Sequence, residues 1–159
     1  MATGILLAIH LGPRAEGPME ARSEARAVPG RGLEGDRYFL SVGTKSKKPG
    51  PDRELTLVEE EALDALARDY GVVVSAAESR RNLLTRGIAL NHLVGREFRV
   101  GEVRARGIRL CEPCDHLARL TGKAVVPGLV HRGGLRAQIL TEGTIRVGDP
   151  VEAASPESR

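Results

Sequence analysis

The two cysteines of the chain, Cys111 and Cys114, enclose Glu112 and Pro113. This spacing suits a redox pair, a metal site or a nucleophilic thiol. Pro113 is typical of the first position of a helix, where its missing N–H needs no partner. The leucines that follow have helical spacing, and Gly122 gives a C-terminal stop. We therefore predict that Cys114 lies in the first turn of a helix, where backbone N–H groups and the helix dipole favour a thiolate.

Three kinds of chemistry remain open for this pair. A structural zinc site needs further ligands, and only His116 and His131 could supply them, at a spacing unusual for zinc. A thioredoxin-type pair belongs to a βαβ unit, whereas the residues before Cys111 alternate like an antiparallel sheet. Two ordinary buried cysteines are the simplest alternative. Pro113 and the helix start favour a working thiol, with Cys114 better placed than Cys111.

Loops that carry arginine offer a partner for this sulfur. Three such clusters stand out: Asp36-Arg37, Arg80-Arg81-Asn82 and His131-Arg132. Guanidinium groups bind carboxylates and phosphates through two parallel hydrogen bonds, and the glycines after Arg132 permit close approach of a ligand. Each cluster also has a plain explanation as a surface ion pair or a helix-end charge. Together the clusters indicate an anionic ligand beside a sulfur.

The elements that must position these residues are short. Apolar runs and alternating apolar residues predict strands over 5–11, 55–58 and 135–139, an antiparallel meander over 98–110, and a hairpin turn at 142–143. A helix is predicted from Glu59 to Tyr70, with Gly71 as its stop. Residues 72–74 are predicted to be a short buried strand or extended segment. Ser75 and Glu78 form a capping-box pattern that predicts a brief helix.

Two segments are predicted to be loops. Residues 12–35 are rich in glycine, proline and charge, and 41–53 contain a short basic run. Residues 30–35 match the pattern G-x-G-x-x-G, but no strand precedes them and no convincing helix follows Asp36, so a dinucleotide site is not predicted. Many short strands with frequent glycine turns predict an α+β domain, mainly β, with a barrel-like form.

Composition narrows the class of protein. The chain has 159 residues, 41% apolar and only 3% aromatic, which predicts one domain with an aliphatic core. No apolar run has membrane-spanning length and no signal peptide is evident, so we expect a soluble, cytoplasmic protein. The net charge is only +3, aromatic residues are scarce, and the basic residues are not clustered among them. Nucleic-acid binding is therefore disfavoured.

The order and spacing of several motifs resemble those of the MOSC family, the stand-alone relatives of the molybdenum cofactor sulfurase C-terminal domain. The resemblance runs from about Gly4 to Val151. The matching segments are Gly35-Asp36-Arg37-Tyr38, Leu55-Thr56-Leu57-Val58, Arg80-Arg81-Asn82-Leu83, 94–101, Cys111-Glu112-Pro113-Cys114-Asp115-His116-Leu117, Arg132-Gly133-Gly134 and Gly148-Asp149.

The resemblance implies a MOSC-like β-barrel with a few short helices, formed by residues 1–152 as a single domain, and a flexible tail over 153–159. It implies that the chain binds the molybdenum cofactor (molybdopterin) and that the thiolate of Cys114 is the metal ligand; the spacing in larger relatives also permits Cys111. A thiolate is a soft ligand. The residues implied to hold the pterin and its phosphate are Asp36, Arg37, Arg80, Asn82, His116 and Arg132.

The function implied is the reduction of an N-hydroxylated or N-oxygenated small molecule with electrons from a donor protein. Recombinant protein can lack the cofactor. An alternative is a sulfur carrier, in which a cysteine desulfurase loads a persulfide on Cys114. A third possibility is a basic binding module without enzymatic activity. The sequence leaves open the substrate, the electron donor, the oligomeric state and the role of the basic loop from Lys45 to Pro51.

Overall fold

The computed structural model describes residues 3–14, 17–40, 50–113, 117–118 and 121–154. The strands are β1 Thr3–Leu11, β2 Glu20–Arg22, β3 Glu24–Val28, β4 Gly32–Leu33, β5 Leu55–Glu59, β6 Leu83–Arg86, β7 Glu97–Val100, β8 Val103–Leu110, β9 Leu135–Ile139, β10 Gly143–Arg146 and β11 Pro150–Ala153. The helices are α1 Arg37–Leu40, α2 Glu60–Tyr70, α3 Val126–Leu129 and a 3-10 helix Leu90–Leu93.

A closed barrel forms the body of the protein, as predicted. Its strands follow the order β11-β7-β8-β9-β5-β6-β1, and β1 pairs back to β11 to close it. The β5–β6 pair is parallel, and the other pairs of the barrel are antiparallel. A parallel pair needs a crossover connection, and α2 lies within the one that joins β5 to β6.

Aliphatic side chains fill the barrel because each strand alternates between its inner and outer face. Leu55 and Leu57 of β5 and Leu135 and Ala137 of β9 are buried in one core cluster. Phe98 is the largest fully buried side chain. A second cluster lies where α2 and α3 meet: Val58, Leu63, Leu66, Val74, Leu117, Val125 and Leu129. This second cluster anchors the helical segment that follows the cysteines.

The predicted loop over 12–35 is wrong in part, because it contains strands. β10, β3 and β4 form a separate three-stranded sheet in which Gly143 pairs with Ala27 and Ala27 with Leu33. The predicted hairpin at 142–143 is also wrong, since β10 pairs with β3 rather than with β9. In β3 the charged residues Glu24 and Arg26 are exposed and the alternate residues Ala25 and Ala27 are buried, so this strand has only one buried face.

Several local predictions need correction. Asp36 is followed at once by the short helix α1. Residues 72–74 form no strand; Val74 is buried, but Val73 is 69% exposed. Ser75 and Glu78 exchange the two capping-box hydrogen bonds, at 3.0 and 3.1 Å, but the residues after them form turns instead of a helix.

Other predictions hold at the ends of elements. α2 ends at Gly71, which has the predicted left-handed conformation with φ of 66°. β11 extends through Ala153, and the N–H of Ala154 donates to the carbonyl of Glu97, so the first two residues of the predicted tail, 153 and 154, pack on the barrel. Residues 41–49 of the predicted basic loop and residues 155–159 lie outside the described residues. None of the described helices is both long and apolar enough to cross a membrane.

Candidate functional site

A row of buried polar side chains crosses the outer face of the barrel. Arg136 of β9 lies opposite Thr56 of β5, and Asn82 bonds to Thr56 just before β6 begins. His10 of β1 continues the row, since its main-chain N–H donates to the main-chain carbonyl of Asn82 at 2.7 Å. All four residues are buried. Their strand neighbours Leu55, Leu57 and Leu135 point into the barrel, so the polar row faces outward, where loops cover it.

Asn82 is the centre of this row. Its side-chain amide donates to the His10 carbonyl at 3.1 Å and to Asp36 Oδ1 at 3.2 Å. Its Oδ1 accepts from the N–H and the hydroxyl of Thr56, both at 3.1 Å. Every polar group of this side chain therefore has a partner within the protein. The sequence-predicted residues Asn82 and Asp36 lie together and fasten the start of α1 to the barrel.

Asp36 is a fully buried carboxylate. Its Oδ1 also accepts from the N–H of Gly12 at 2.8 Å. Burial raises the pKa of Asp36, because desolvation disfavours the charged form. The Gly12 hydrogen bond, the charge of Arg37 and the hydrogen bonds from Tyr38 and Asn82 oppose that rise.

Arg37 and Arg80, two of the predicted basic residues, both contact the segment 17–19. Arg37 Nη1 lies 3.9 Å from the sulfur of Met19, and Arg80 Nη1 donates to the carbonyl of Gly17 at 2.6 Å. A cavity of about 320 Å³ opens here, lined by this segment together with Arg80, Ala77, Glu78 and Thr121. Arg80 has a left-handed backbone with φ of 61°. Both cations thus contact the same short segment, and Arg80 also lines the cavity.

Arg81, which the sequence did not single out from its neighbours, joins three loops. Its Nε donates to the Gly133 carbonyl at 2.8 Å, its Nη2 to the Cys111 carbonyl at 2.8 Å, and its Nη1 to the Ser79 carbonyl at 3.1 Å. The residue is buried. The guanidinium of Arg81 therefore fixes residues 111–113, called the cysteine segment below, against the loop that contains Gly133 and against Ser79. No sequence signal separates Arg81 from Arg80, because a turn can present either side chain.

Cys111 is a free, buried cysteine at the end of β8. Its N–H donates to the carbonyl of Gly134 at 2.8 Å. A Cβ on Gly133 would lie 2.4 Å from the Cys111 carbonyl oxygen, and one on Gly134 would lie 2.0 Å from the Leu57 carbonyl oxygen. Gly133 is thus required for the close packing of its loop on the cysteine segment, and Gly134 for the close packing of the same loop on β5. Cys114 and His116 lie outside the described residues.

Glu112 also joins the cysteine segment to the loop that carries His131. Its carboxylate accepts from the His131 N–H at 2.6 Å and lies 2.6 Å from His131 Nδ1. Arg132, the next residue, is exposed, and its charge acts on Glu59 and Asp69 at the two ends of α2. The charge of Arg132 therefore acts toward α2, whereas Arg37 and Arg80 contact the segment 17–19.

Arg136 was missed by the sequence analysis. Its Nη1 donates to the Tyr38 hydroxyl and to the Asp52 carbonyl, both at 3.3 Å. Burial acts to lower the pKa of Arg136, but Cys111, Tyr38 and Asp52 act to raise it, and the net shift is upward. The one sequence signal was a charge between the apolar residues Leu135 and Ala137, a position that normally faces solvent.

The donor set available for a metal is limited. Within the described ranges, no three or more His, Cys, Asp or Glu side chains come together in a way that could hold a metal ion. His10 is buried, and desolvation lowers its pKa, so its ring is neutral near pH 7. The arginines of the predicted clusters suit an anionic ligand instead.

Three solved structures resemble the fold over almost the whole chain. The YuaD protein from Bacillus subtilis has a TM-score of 0.80 at 15% identity and covers 96% of this chain and 98% of its own. YiiM from Geobacillus stearothermophilus has a TM-score of 0.71 at 15% identity, with coverages of 96% and 75%. YiiM from Escherichia coli has a TM-score of 0.68 at 22% identity, with coverages of 98% and 70%.

The sequence itself assigns the family. No curated protein sequence matches the chain significantly. The family model of the MOSC domain, however, matches residues 40–152, well over half of the chain. This family is associated with the molybdenum cofactor. The match spans the polar row from Thr56 to Arg136 and the cysteine segment. The chain therefore belongs to the MOSC domain family.

Proposed function

We propose that the protein binds the molybdenum cofactor through Cys114 and reduces N-hydroxylated or N-oxygenated small molecules in the cytoplasm. The electrons come from a donor protein. The observation that best supports this proposal is the contact between Arg81 and the Cys111 carbonyl. Arg80, the preceding residue, lines the cavity beside the segment 17–19, so this contact ties the cysteine segment to the loop that carries Arg80.

The residues at this site fit the chemistry of the cofactor. A cysteine thiolate is a soft ligand that can complete the coordination of a metal already held by dithiolene sulfurs. Arg37 and Arg80 would neutralise the phosphate, because both reach the segment 17–19. Gly12 allows Arg37 to lie close, since a Cβ there would be 2.6 Å from Arg37 Nη1. When bound, the cofactor would supply the two-electron chemistry that cleaves an N–O bond.

The protein's own residues have separate tasks in this proposal. Asp36 and Asn82 hold α1, and with it Arg37, against the barrel. Arg81 fixes the backbone before Cys114, which limits the positions that the ligand sulfur can take. Cys111 is buried, which disfavours it as the ligand of a large planar cofactor.

The test is molybdenum content, together with the intact mass, of protein made in a cofactor-competent host. We expect molybdenum in the wild type and in Cys111→Ser, and its loss in Cys114→Ser. Each variant replaces one cysteine sulfur by oxygen, so the two variants serve as controls for each other. Loss in Cys111→Ser alone would assign the ligand to Cys111. A persulfide on Cys114 without molybdenum would favour the sulfur carrier, and salt-dependent binding to arbitrary RNA or DNA with neither would favour a basic binding module.

A further inference from the structure

Arg136 carries a buried charge that no carboxylate among the described residues pairs with directly. Its side chain lies on the outer face of β9, and the residue is only 8% exposed. The charge of Asp52 acts on Arg136, but the carboxylate of Asp52 binds Arg109 at 2.9 Å. A buried guanidinium is unfavourable unless hydrogen bonds or an opposite charge compensate it. The described residues around Arg136 therefore compensate its buried charge only in part.

The hydrogen bonds of Arg136 leave one edge of the guanidinium for a ligand. Both of its bonds, to the Tyr38 hydroxyl and to the Asp52 carbonyl, use Nη1. Nε is buried and has no hydrogen-bond partner among the described residues. Nε and Nη2 together form the side of the fork that binds a carboxylate or a phosphate through two parallel hydrogen bonds. Tyr38 and Asp52 hold the group in one orientation.

The surroundings keep Arg136 cationic and place it at the site. Thr56 is its partner across β5, and Asn82 bonds to Thr56, so Arg136 is one end of the buried polar row. The register that pairs Arg109 with Arg136, and the bond from the Cys111 N–H to Gly134, bring Cys111 to the same end of β9. A ligand at Arg136 would therefore lie beside the cysteine segment.

We infer that Arg136 binds the anionic group of a small-molecule ligand, a carboxylate or a tetrahedral oxyanion, through the edge formed by Nε and Nη2. The anionic group approaches beside Tyr38 and supplies the hydrogen-bond acceptor that the buried Nε of Arg136 lacks. This assignment adds a residue that the family resemblance does not name. It goes beyond the proposed function and needs no molybdenum, because the anion and the guanidinium are sufficient for binding.

The experiment is calorimetric titration of the full-length protein, free of molybdenum, at fixed ionic strength. Benzoate, phenyl phosphate and sulfate are the three anionic probes, and benzamide is the uncharged control. We expect saturable binding of at least one anion and none of benzamide. The anion that binds most tightly distinguishes a carboxylate ligand from a phosphate or sulfate ligand.

Variants identify the residue. Arg136→Gln should weaken binding by about tenfold or more, since it removes one charge-assisted pair of hydrogen bonds. Arg99→Gln is the matched control: Arg99 is an exposed arginine of β7, so the net charge changes equally while affinity should not. Tyr38→Phe, which removes one hydroxyl that orients Arg136, should weaken binding roughly threefold to tenfold.

Two results would overturn the inference. One is the lack of saturable binding of any of the three anions to the wild type. The other is an affinity that does not change in Arg136→Gln, or in Tyr38→Phe if Arg136→Gln does not fold. Molybdenum content is measured separately, so failure of anion binding and failure of cofactor binding give different results and are told apart.

Discussion

The guanidinium of Arg81 donates to the carbonyl of Cys111 at 2.8 Å, across the gap between two loops. The contact involves the main chain of Cys111, so it fixes the position of the cysteine segment without using the sulfur. The same side chain reaches the carbonyls of Ser79 and Gly133. The geometry of the site thus depends on one buried fork, which is a feature that stability measurements can test.

Replacing Arg81 should destabilise the fold. Arg81→Met leaves three carbonyls without their donor, and we expect the free energy of unfolding to fall by roughly 2–4 kcal/mol. Arg81→Lys keeps the charge but cannot reach all three carbonyls, so an intermediate loss is expected. The measurement is urea denaturation.

The control for Arg81 is Arg86→Met at the end of β6. Arg86 is an exposed arginine paired with Glu60, and its loss should cost less than about 1 kcal/mol. If Arg81→Met and Arg86→Met lowered the free energy of unfolding equally, the three carbonyl contacts of Arg81 would contribute no more to stability than a surface ion pair.

Asp36 should make stability depend on pH in an unusual direction. Burial raises its pKa in the folded protein above the ordinary value of 3.8. Its contribution to stability is therefore greatest below that value and is lost as the pH rises through the raised pKa. Asp36→Asn keeps the acceptor Oδ1 and has no charge to bury.

We expect the free energy of unfolding of Asp36→Asn, measured relative to the wild type, to increase from about pH 4 to about pH 7. Urea denaturation at several pH values gives this difference. Asp69→Asn on the surface of α2 is the control, and it should not show that increase. A constant difference for Asp36→Asn would mean that the hydrogen bonds from Gly12 and Asn82 cancel the effect of burial.

Gly134 should tolerate no side chain. Its φ is 116°, and a Cβ there would lie 2.0 Å from the Leu57 carbonyl oxygen. Gly134→Ala should lower the free energy of unfolding by more than about 3 kcal/mol. Gly30→Ala is the matched control, because φ is 78° and nothing lies within 4 Å of its Cβ; a cost of about 1–2 kcal/mol is expected there. Thermal unfolding of both variants gives the comparison, and equal costs would rule out the contact with Leu57 as the cause.

Cys111 should react slowly with thiol reagents while the protein is folded. It is 2% exposed, and Cys114→Ser leaves it as the remaining thiol of a chain with two cysteines. We expect modification by Ellman's reagent to be on the order of 100-fold slower than in denatured protein, because a local opening must precede it. A rate near that of the denatured protein would place Cys111 at an accessible surface.

The sequence predicted those elements whose signal is local. β1 and β5 contain apolar residues with strand spacing, and α2 ends at Gly71, which the left-handed stop requires. The family could likewise be recognised, because it depends on the order of short motifs. The barrel was predicted from the density of short strands, and the closed seven-stranded order confirms it.

Pairings between distant segments could not be predicted in the same way. The partner of β10 is β3, near the start of the chain, and no property of Thr144 or Ile145 identifies it. Similarly, Arg136 is buried because α1 and residues near Asp52 cover β9, which alternation along β9 alone does not show. Arg37 and Arg80 both contact the segment 17–19. Arg81 was predicted only as part of a cluster, and Arg136 was not predicted.

The closure of the barrel by β11 sets a condition on how the chain folds during synthesis. β11 lies between β1 and β7, so Thr3 finds its partner Glu152 only after nearly all of the described chain has been made. Until then, the first residues of β1 and the outer edge of β7 present unpaired N–H and C=O groups that can pair with other chains. Contacts between such distant residues also form slowly. A nascent chain released before Pro150 would thus keep two open edges, and we expect it to aggregate.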